Sequence, residues 1–501
     1  MTAAPTAHSL TADVPWNGDF VARELGVRLH SDPAAAVAVA ELVGLALRRN
    51  PKRAHLLVST VLAKHIPAEP ALVMAAGALL GAFVAAELEA ALGGGTGAHN
   101  VGLHRGLSAA AAQLSTVLHS TVGQRGKALA ALTAQLEQLS SQAPEAIVIG
   151  YAETATGLGR LVANALGAFY IHSTRHATPG VEPSAGFQEG HSHATSHAMV
   201  PTSPQWLDGD GPVVLVDDEF STGSTVINTI RELHALVPHS LYVVAALIDL
   251  RSAADKARFE ALAAELDCRI KVTALGTGHI ELGSDILGRA AELIAELPPV
   301  EAGTVAAGRL SFVELSAAQA APIRSDRFGN AAPPDQTTIA AIARQVAAHL
   351  QTTACQGPVA VVGCEENMFL PLAVSHALEA LLPGTQVLFS TTTRSPIVPV
   401  DTPGYAVNGA LSFASHDLSH DGPGIRFAYN LNGSHQRPGT IVVFPEPGTP
   451  RNAVVHSSVS QLPSLGAAMA TAARDAVVVL LPADIPSPCS TTAPRQESSA
   501  S

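Results

Sequence analysis

Val213-Val214-Leu215-Val216-Asp217-Asp218-Glu219-Phe220-Ser221-Thr222-Gly223-Ser224-Thr225 is the stretch from which the rest of the chain can be read. Its β-branched run predicts a buried strand. The two acids that end the run then stand at the strand's C-terminal edge, where open α/β sheets bind ligands. Carboxylates placed there accept hydrogen bonds from vicinal hydroxyls. Ser221 to Thr225 lead into a helix predicted over residues 226–233, whose unpaired N–H groups and positive dipole end suit a phosphate monoester. Gly223 lets the backbone approach the anion closely. An acid pair or a hydroxyl-rich turn alone is an ordinary helix cap. Strand, acid pair, turn and helix in unbroken order predict a site for a phosphorylated sugar.

At these residues the chain resembles the type I phosphoribosyltransferases, whose signature is a hydrophobic strand, Asp-Asp or Glu-Asp, two variable residues, two Ser or Thr, then Gly. The resemblance implies binding of 5-phosphoribosyl 1-diphosphate (PRPP). Asp217 and Asp218 would hold the ribose 2′- and 3′-hydroxyls, and Glu219, Phe220, Ser221, Thr222, Gly223, Ser224 and Thr225 would wrap the 5′-phosphate. Ser224 stands where a second Gly is frequent in the family. The family holds the diphosphate with a turn after an earlier strand, and Gly150-Tyr151-Ala152-Glu153-Thr154-Ala155-Thr156-Gly157 stands in that position. Backbone N–H groups of Tyr151, Ala152, Glu153 and Thr154 would bind, assisted by the Thr154 and Thr156 hydroxyls. Glu153 departs from the Gly or Lys of many relatives, and would repel diphosphate unless Mg²⁺ or a cationic group intervenes. Arg175 ends the next strand and is expected either to aim its guanidinium at the same edge or to be a solvated strand-end residue. His191, His193 and His197 lie where the family has a mobile flap. They are read as flap residues that exclude water, with a plain solvated loop as the other reading.

The composition bounds the partners. With 29 basic and 42 acidic residues among 501, the formal charge is −13, which disfavours a general nucleic-acid or anionic-membrane surface. A content of 47% hydrophobic residues supports two or more cores. The cysteines at 268, 355, 364 and 489 show no zinc or disulfide spacing, residues 1–8 do not read as a signal peptide, and a cytoplasmic protein is expected. Residues 71–86 are apolar but short of the roughly 20 residues a membrane span needs, and read as a buried helix.

Along the chain the expected organisation is a loosely ordered lead-in over 1–32 and a phosphoribosyltransferase-like domain with a helical N-terminal part over 33–295. A linker follows over 296–335, then a C-terminal domain over 336–484 and a disordered tail over 485–501. The fold class expected is α/β, a parallel sheet with helices on both faces plus a second C-terminal α/β domain. Within the first domain a helix is predicted over 33–49 from its N1 proline, and strands over 54–60, 146–150, 168–173, 213–217, 241–250 and 269–275. The loop 174–210 is polar. Asn50 to Arg53 and Val58 to His65 are candidates for the acceptor surface or for ordinary surface charge.

In the C-terminal domain Thr393-Arg394-Ser395-Pro396 puts a cation between hydroxyls at a strand end. It matches the name-giving motif of the TRSP domain. That resemblance places it behind an orotate phosphoribosyltransferase-like domain in bacterial clusters associated with tellurite resistance, and implies biosynthesis of a nucleoside-like metabolite. Residues 149–153 with 173–175 parallel residues 362–366 with 392–394, and residues 441–449 occupy the place of the sugar loop without its acid pair. Either a degenerate second copy or two unrelated strand-turn-helix units would account for this. His416, Asp417, His420 and Asp421 read as a solvated loop rather than a ligand or metal site.

The expected function is transfer of the phosphoribosyl group from PRPP to an unknown base-like acceptor. The transition state is oxocarbenium-like, so positioning and charge stabilisation carry the catalysis. Mg²⁺ would enter with the substrate's phosphates, with no dedicated protein cage for it. The alternatives are a non-catalytic PRPP-sensing regulator and a PRPP synthase-like kinase, the latter lacking a recognisable ATP site. A homo-oligomer is left open.

Overall fold

The computed structural model describes residues 19–50, 53–93, 97–178, 181–188, 196–298, 308–353, 357–402, 404–417, 422–433 and 437–485. Strands buried along their whole length, such as Ile147–Gly150 and Leu241–Asp249, have no solvated face, and helices must cover both sides of the sheet they join. The first unit contains β1 (Arg28–Ser31), β2 (Val43–Leu47), β3 (His55–Ser59), β4 (Ile147–Gly150), β5 (Phe169–His172), β6 (Ala185–Gln188), β7 (Ser196–Met199), β8 (Val213–Phe220), β9 (Leu241–Asp249) and β10 (Arg269–Glu281). Its main sheet has the order β1-β10-β9-β8-β4-β5. All its pairings are parallel except the antiparallel edge strand β1. The strand order reverses between β4 and β8, so the crevice beyond their carboxyl ends is the topological switch point. Separate hairpins pair β2 with β3 and β6 with β7.

The second unit contains β11 (Arg309–Glu314), β12 (Val359–Gly363), β13 (Val387–Thr391), β14 (Ala410–Ala414), β15 (Ile425–Tyr429), β16 (Thr440–Phe444) and β17 (Asp475–Leu480). Its parallel sheet runs β11-β17-β16-β12-β13, and β14 and β15 form a hairpin. Thus β13-β12-β16-β17 repeats β5-β4-β8-β9, with the next position filled by β11 from ahead of them in the chain. The turns repeat as well. Ser173 N donates to Gly150 O at 2.9 Å and Thr392 N to Gly363 O at 2.9 Å. Ala152 N donates to Ser173 Oγ and Glu365 N to Thr392 Oγ1, both at 3.0 Å. Tyr151 N reaches Val216 O, and Cys364 N reaches Phe444 O, both at 3.1 Å. Gly150 and Gly363 therefore occupy equivalent positions, and the second unit is a permuted copy of the first in strand order and turn bonding.

The two units share one core. Ile397, Val398, Tyr405, Val407 and Tyr429 belong to the same buried cluster as Leu45, Leu47 and Leu57, and Tyr405 Oη accepts from Leu47 N at 2.8 Å while donating to Val398 O at 2.7 Å. Polar contacts cross in both directions. Glu366 accepts from Thr174 Oγ1 at 2.6 Å and Arg175 N at 2.7 Å, and Arg394 Nε lies 2.7 Å from Glu153 Oε1.

Several expected elements differ. The predicted helix 33–49 is a short helix, Val39–Leu42, followed by β2. Every residue of β2 is buried; a segment with no polar face pairs with β3 despite its alanine content. Residues 19–31, expected in the lead-in, form a helix, Asp19–Leu25, that buries Phe20, Val21 and Leu25, and then β1. Residues 309–314 of the expected linker are β11, inside the second sheet, while 299–307, the lead-in to residue 18 and the tail from 486 lie outside the described residues. The polar loop 174–210 carries the β6–β7 hairpin. The apolar segment at 71–86 is part of a 22-residue helix, Pro70–Ala91, long and apolar enough to cross a membrane, of whose most apolar stretch 72% is buried inside the fold.

Candidate active site

The turn after β4 is shaped by close packing. A Cβ on Gly150 would lie 2.3 Å from Tyr170 Oη and 2.9 Å from Ala155 O, so no side chain fits there. The Ala152–Glu153 peptide is cis. Lys64, buried at 5% exposure, donates from Nζ to Thr154 Oγ1 at 2.7 Å and lies 3.6 Å from Glu153 Oε2. Burial lowers its pKa, against the attraction of Glu153 and Asp218. With Arg394 on its other oxygen, Glu153 is held between two cations, which answers the repulsion its charge would otherwise direct at a diphosphate. The sequence places Lys64 on the acceptor surface or among ordinary surface charges. It is instead a buried member of this turn.

The acid pair stands across the switch point from that turn. Asp218 N donates to Asp217 Oδ1 at 3.0 Å. Burial, and next the neighbouring Glu219, push the Asp218 carboxyl up to about 6, opposed by Lys64. Glu219 is taken by Arg53, whose Nη1 lies 2.8 Å from its Oε1. A carboxyl whose pKa is raised in the folded state disfavours folding once it ionises. The cost is full above pH 6 and absent below the ordinary value near 4. Asp218→Asn is therefore expected to stabilise the ligand-free protein at pH 7 by about 2 kcal/mol, allowing for its half-buried position. Thermal unfolding followed at pH 7 and pH 4 checks this, the gain vanishing at the lower pH.

Beyond the acids, Gly223 caps the helix Ser224–Leu236 with φ 71° and no side-chain cap, leaving the N-terminal amides to meet an anion. A Cβ there would lie 2.5 Å from the Phe259 ring. Thr222 Oγ1 sits 3.1 Å from Ser224 Oγ. The loop is braced from β9 by Arg251, bound to Asp249 at 2.9 and 2.8 Å and lying 4.3 Å from the centre of the Phe259 ring. Phe220 is 2% exposed and shapes the loop from below, so only its backbone can face a ligand. Ser221 and Thr225 flank the same turn.

Arg175 does not run free into solvent. Its Nη2 lies 3.3 Å from His197 Nε2, and His197 Nδ1 lies 2.9 Å from Ser173 Oγ. A guanidinium only donates, so Nε2 accepts and Nδ1 carries the proton toward Ser173. Ser173 Oγ also accepts from Ala152 N. His197 is 1% exposed. It is a buried link between β7 and the diphosphate turn rather than an open flap residue, whereas His191 and His193 lie outside the described residues. The Thr393-Arg394-Ser395-Pro396 motif sits at the seam between the units. Thr393 pairs with Phe427, Ser395 O accepts from Tyr429 Oη, and Pro396 O accepts from Arg49 N.

The family model of a phosphoribosyl transferase matches residues 42–279, and that of a TRSP domain, C-terminal to this transferase, matches residues 324–462. The chain carries a phosphoribosyl transferase domain followed by a TRSP domain. No curated protein matches it. Among solved structures the chain is similar to adenine phosphoribosyl transferase of Trypanosoma brucei in complex with AMP, pyrophosphate and ribose-5-phosphate, at 20% identity and TM-score 0.21 over 26% of this chain and 54% of that one. The match thus spans about half the length of that protein. It is also similar to the Giardia lamblia enzyme, at 20% identity and TM-score 0.22 over 29% and 78% of the two chains. For the Saccharomyces cerevisiae enzyme the values are 15% and 0.20 over 30% and 79%. The TRSP domain, as the permuted copy, places Pro445 and Glu446 where the transferase domain has Asp217 and Asp218, since Phe444 is paired like Val216.

Proposed function

We propose that the chain transfers the 5-phosphoribosyl group of PRPP to a base-like small molecule in the cytoplasm. The observation that carries this is the pairing, across one switch point, of the Asp217–Asp218 acid pair and the uncapped helix end at Gly223 with the cation-flanked turn 150–154. The two carboxylates accept from the ribose hydroxyls and the helix end takes the 5′-phosphate. The C1′–O bond to diphosphate breaks with its electron pair leaving on the diphosphate. A C1′–N bond forms to the acceptor, whose proton passes to solvent. The amides of Tyr151 and Ala152, expected from the sequence to bind diphosphate, are taken by Val216 O and Ser173 Oγ; with Lys64 and Arg394 offsetting Glu153, the turn can present the Glu153 and Thr154 amides to the leaving diphosphate. Mg²⁺ carried by the phosphates would neutralise the leaving group, and the oxygen donors of Asp217 and Asp218 suit its hydrated sphere. The match to the TRSP domain supports, as part of the same reading, a role in making a nucleoside-like metabolite in tellurite-resistance-type clusters.

A second reading, a PRPP sensor without turnover, draws on Arg394, through which occupancy of the turn would reach the TRSP domain. Diphosphate release from PRPP and Mg²⁺ with a panel of purine and pyrimidine acceptors separates the two. Release with one acceptor class establishes the transferase. Binding of PRPP without release across the panel establishes the sensor, and absence of both sinks the reading.

A further inference from the structure

The permuted copy has its own crevice at the C-terminal edge of its sheet, between β12 and β16, and polar side chains have gathered there. Glu365 and Glu366 follow β12, Asp417 follows β14, and His176 reaches in from the first unit just after β5. One ligand atom each from His176, Glu365 and Asp417 lie within 4.8 Å of one another. We propose that these three residues bind a divalent transition-metal cation at the seam between the two units.

The cluster is buried and incompletely paired. His176 is 5% exposed and its Nε2 has no hydrogen-bond partner, though Glu366 Oε1 stands 3.8 Å away. The Asp417 carboxyl stands against that of Glu365, a close like-charge pair that a cation or a shared proton relieves, and His416 Nδ1 and Glu446 Oε1 are buried without hydrogen-bond partners. Orphaned buried acceptors are costly, and a cation held by His176, Glu365 and Asp417 would offset that cost. The remaining oxygens are held as ligand oxygens are held in metal sites. Arg426, buried at 3%, donates to Glu365 Oε1 and, at 3.0 Å, to Asp417 Oδ1. Arg394 donates to Glu365 Oε2 at 3.0 Å. Such bonds orient carboxylates and leave each oxygen a lone pair for a metal. Arg394 divides itself between Glu365 and Glu153, so the acids of the crevice have less than a full guanidinium from it.

The donor set selects the ion. One imidazole with two carboxylates suits Zn²⁺, Co²⁺ or Mn²⁺, whereas Mg²⁺ and Ca²⁺ take oxygen ligands. None of the three ligands is among the residues assigned to PRPP, although Arg394 ties Glu365 to Glu153 of the diphosphate turn. Because His176 belongs to the first unit and Glu365 and Asp417 to the second, the cation would clamp the two together.

The test uses the full chain, stripped with a chelator and titrated with Co²⁺ without PRPP, followed by visible absorption and by competition with Zn²⁺. One equivalent is expected to bind, with affinity at least 100-fold lower in His176→Gln and in Asp417→Asn. In the Co²⁺-loaded native chain a paramagnetically shifted imidazole proton is expected, and it is lost in His176→Gln. Absence of uptake, uptake unchanged in both variants, or a loaded native chain with no shifted imidazole signal would overturn the proposal. The native-chain signal decides even where a variant folds poorly.

Discussion

Asp217→Asn with Asp218→Asn is expected to weaken PRPP binding by at least 100-fold and to abolish measurable turnover, while the protein stays folded. Each ionised carboxylate accepting from a ribose hydroxyl contributes about 1.5–3 kcal/mol, as hydrogen bonds to charged groups do. Two such losses amount to two or more powers of ten at about 1.4 kcal/mol each. The amides also reverse the polarity of half the bonds, because an amide nitrogen donates where the sugar hydroxyl needs an acceptor. The fold does not depend on these charges. Asp218 is driven up to about 6 by burial in the ligand-free protein, so its loss relieves the structure. Calorimetry of binding beside a melting curve checks both halves of the expectation, and a variant that bound PRPP normally would remove the acid pair from the sugar site.

The largest stability effect is expected at Arg160. This residue is fully buried in the helix Thr156–Leu166, directly behind the diphosphate turn. Its Nε donates to Asp326 Oδ2 at 3.0 Å, its Nη2 to Asp326 Oδ1, and its guanidinium carbon lies 4.6 Å from the centre of the Tyr170 ring. Burial opposes the charge on Asp326, yet Arg160, with Asn330 at 2.7 Å, holds its carboxyl below the usual range. The pair pins residues 326–330 against the edge of the first sheet, where Asn330 and Tyr170 exchange backbone bonds at 2.9 and 2.8 Å. Arg160→Ala strands a buried carboxylate and opens a cavity, for a loss of about 3–5 kcal/mol. Arg160→Met combined with Asp326→Leu is expected to recover most of it, since an apolar pair of similar volume replaces a buried ion pair at little cost. Denaturant unfolding of the single and double variants gives the comparison, and equal losses in both would show that the charge pair is not what matters.

The parts of this protein that could be read from the sequence are those whose signal is local. Residues 213–225 announce a strand, an acid pair and an anion-binding helix end because each depends on neighbours in the chain, and the helix Thr156–Leu166 and the strand Val359–Gly363 follow from short-range pattern in the same way. Helix 33–49 failed because alanine content favours a helix, while burial on both sides at Val43–Leu47 favours a partner strand supplied by β3. Lys64 could not be placed, since its meeting with Thr154 joins residues 90 apart. Arg394 was legible as a motif and not as a neighbour of Glu153, which needs the packing of one unit on the other. Asp417 was read as part of a solvated loop. It is withdrawn from water by Arg426, a residue whose sequence context carries no hint of the pairing, while His420 and Asp421 lie outside the described residues. The repetition of Gly150 at Gly363 was visible as a faint echo, and became definite through hydrogen bonds that no linear comparison contains.

The most direct measurement is a calorimetric titration of the native chain with PRPP in the presence of Mg²⁺, because it counts sites as well as detecting them. A site built on the acid pair of the transferase domain, with Pro445 and Glu446 in its place in the TRSP domain, predicts binding at one PRPP per chain. No heat of binding, or two equivalent sites per chain, would contradict it.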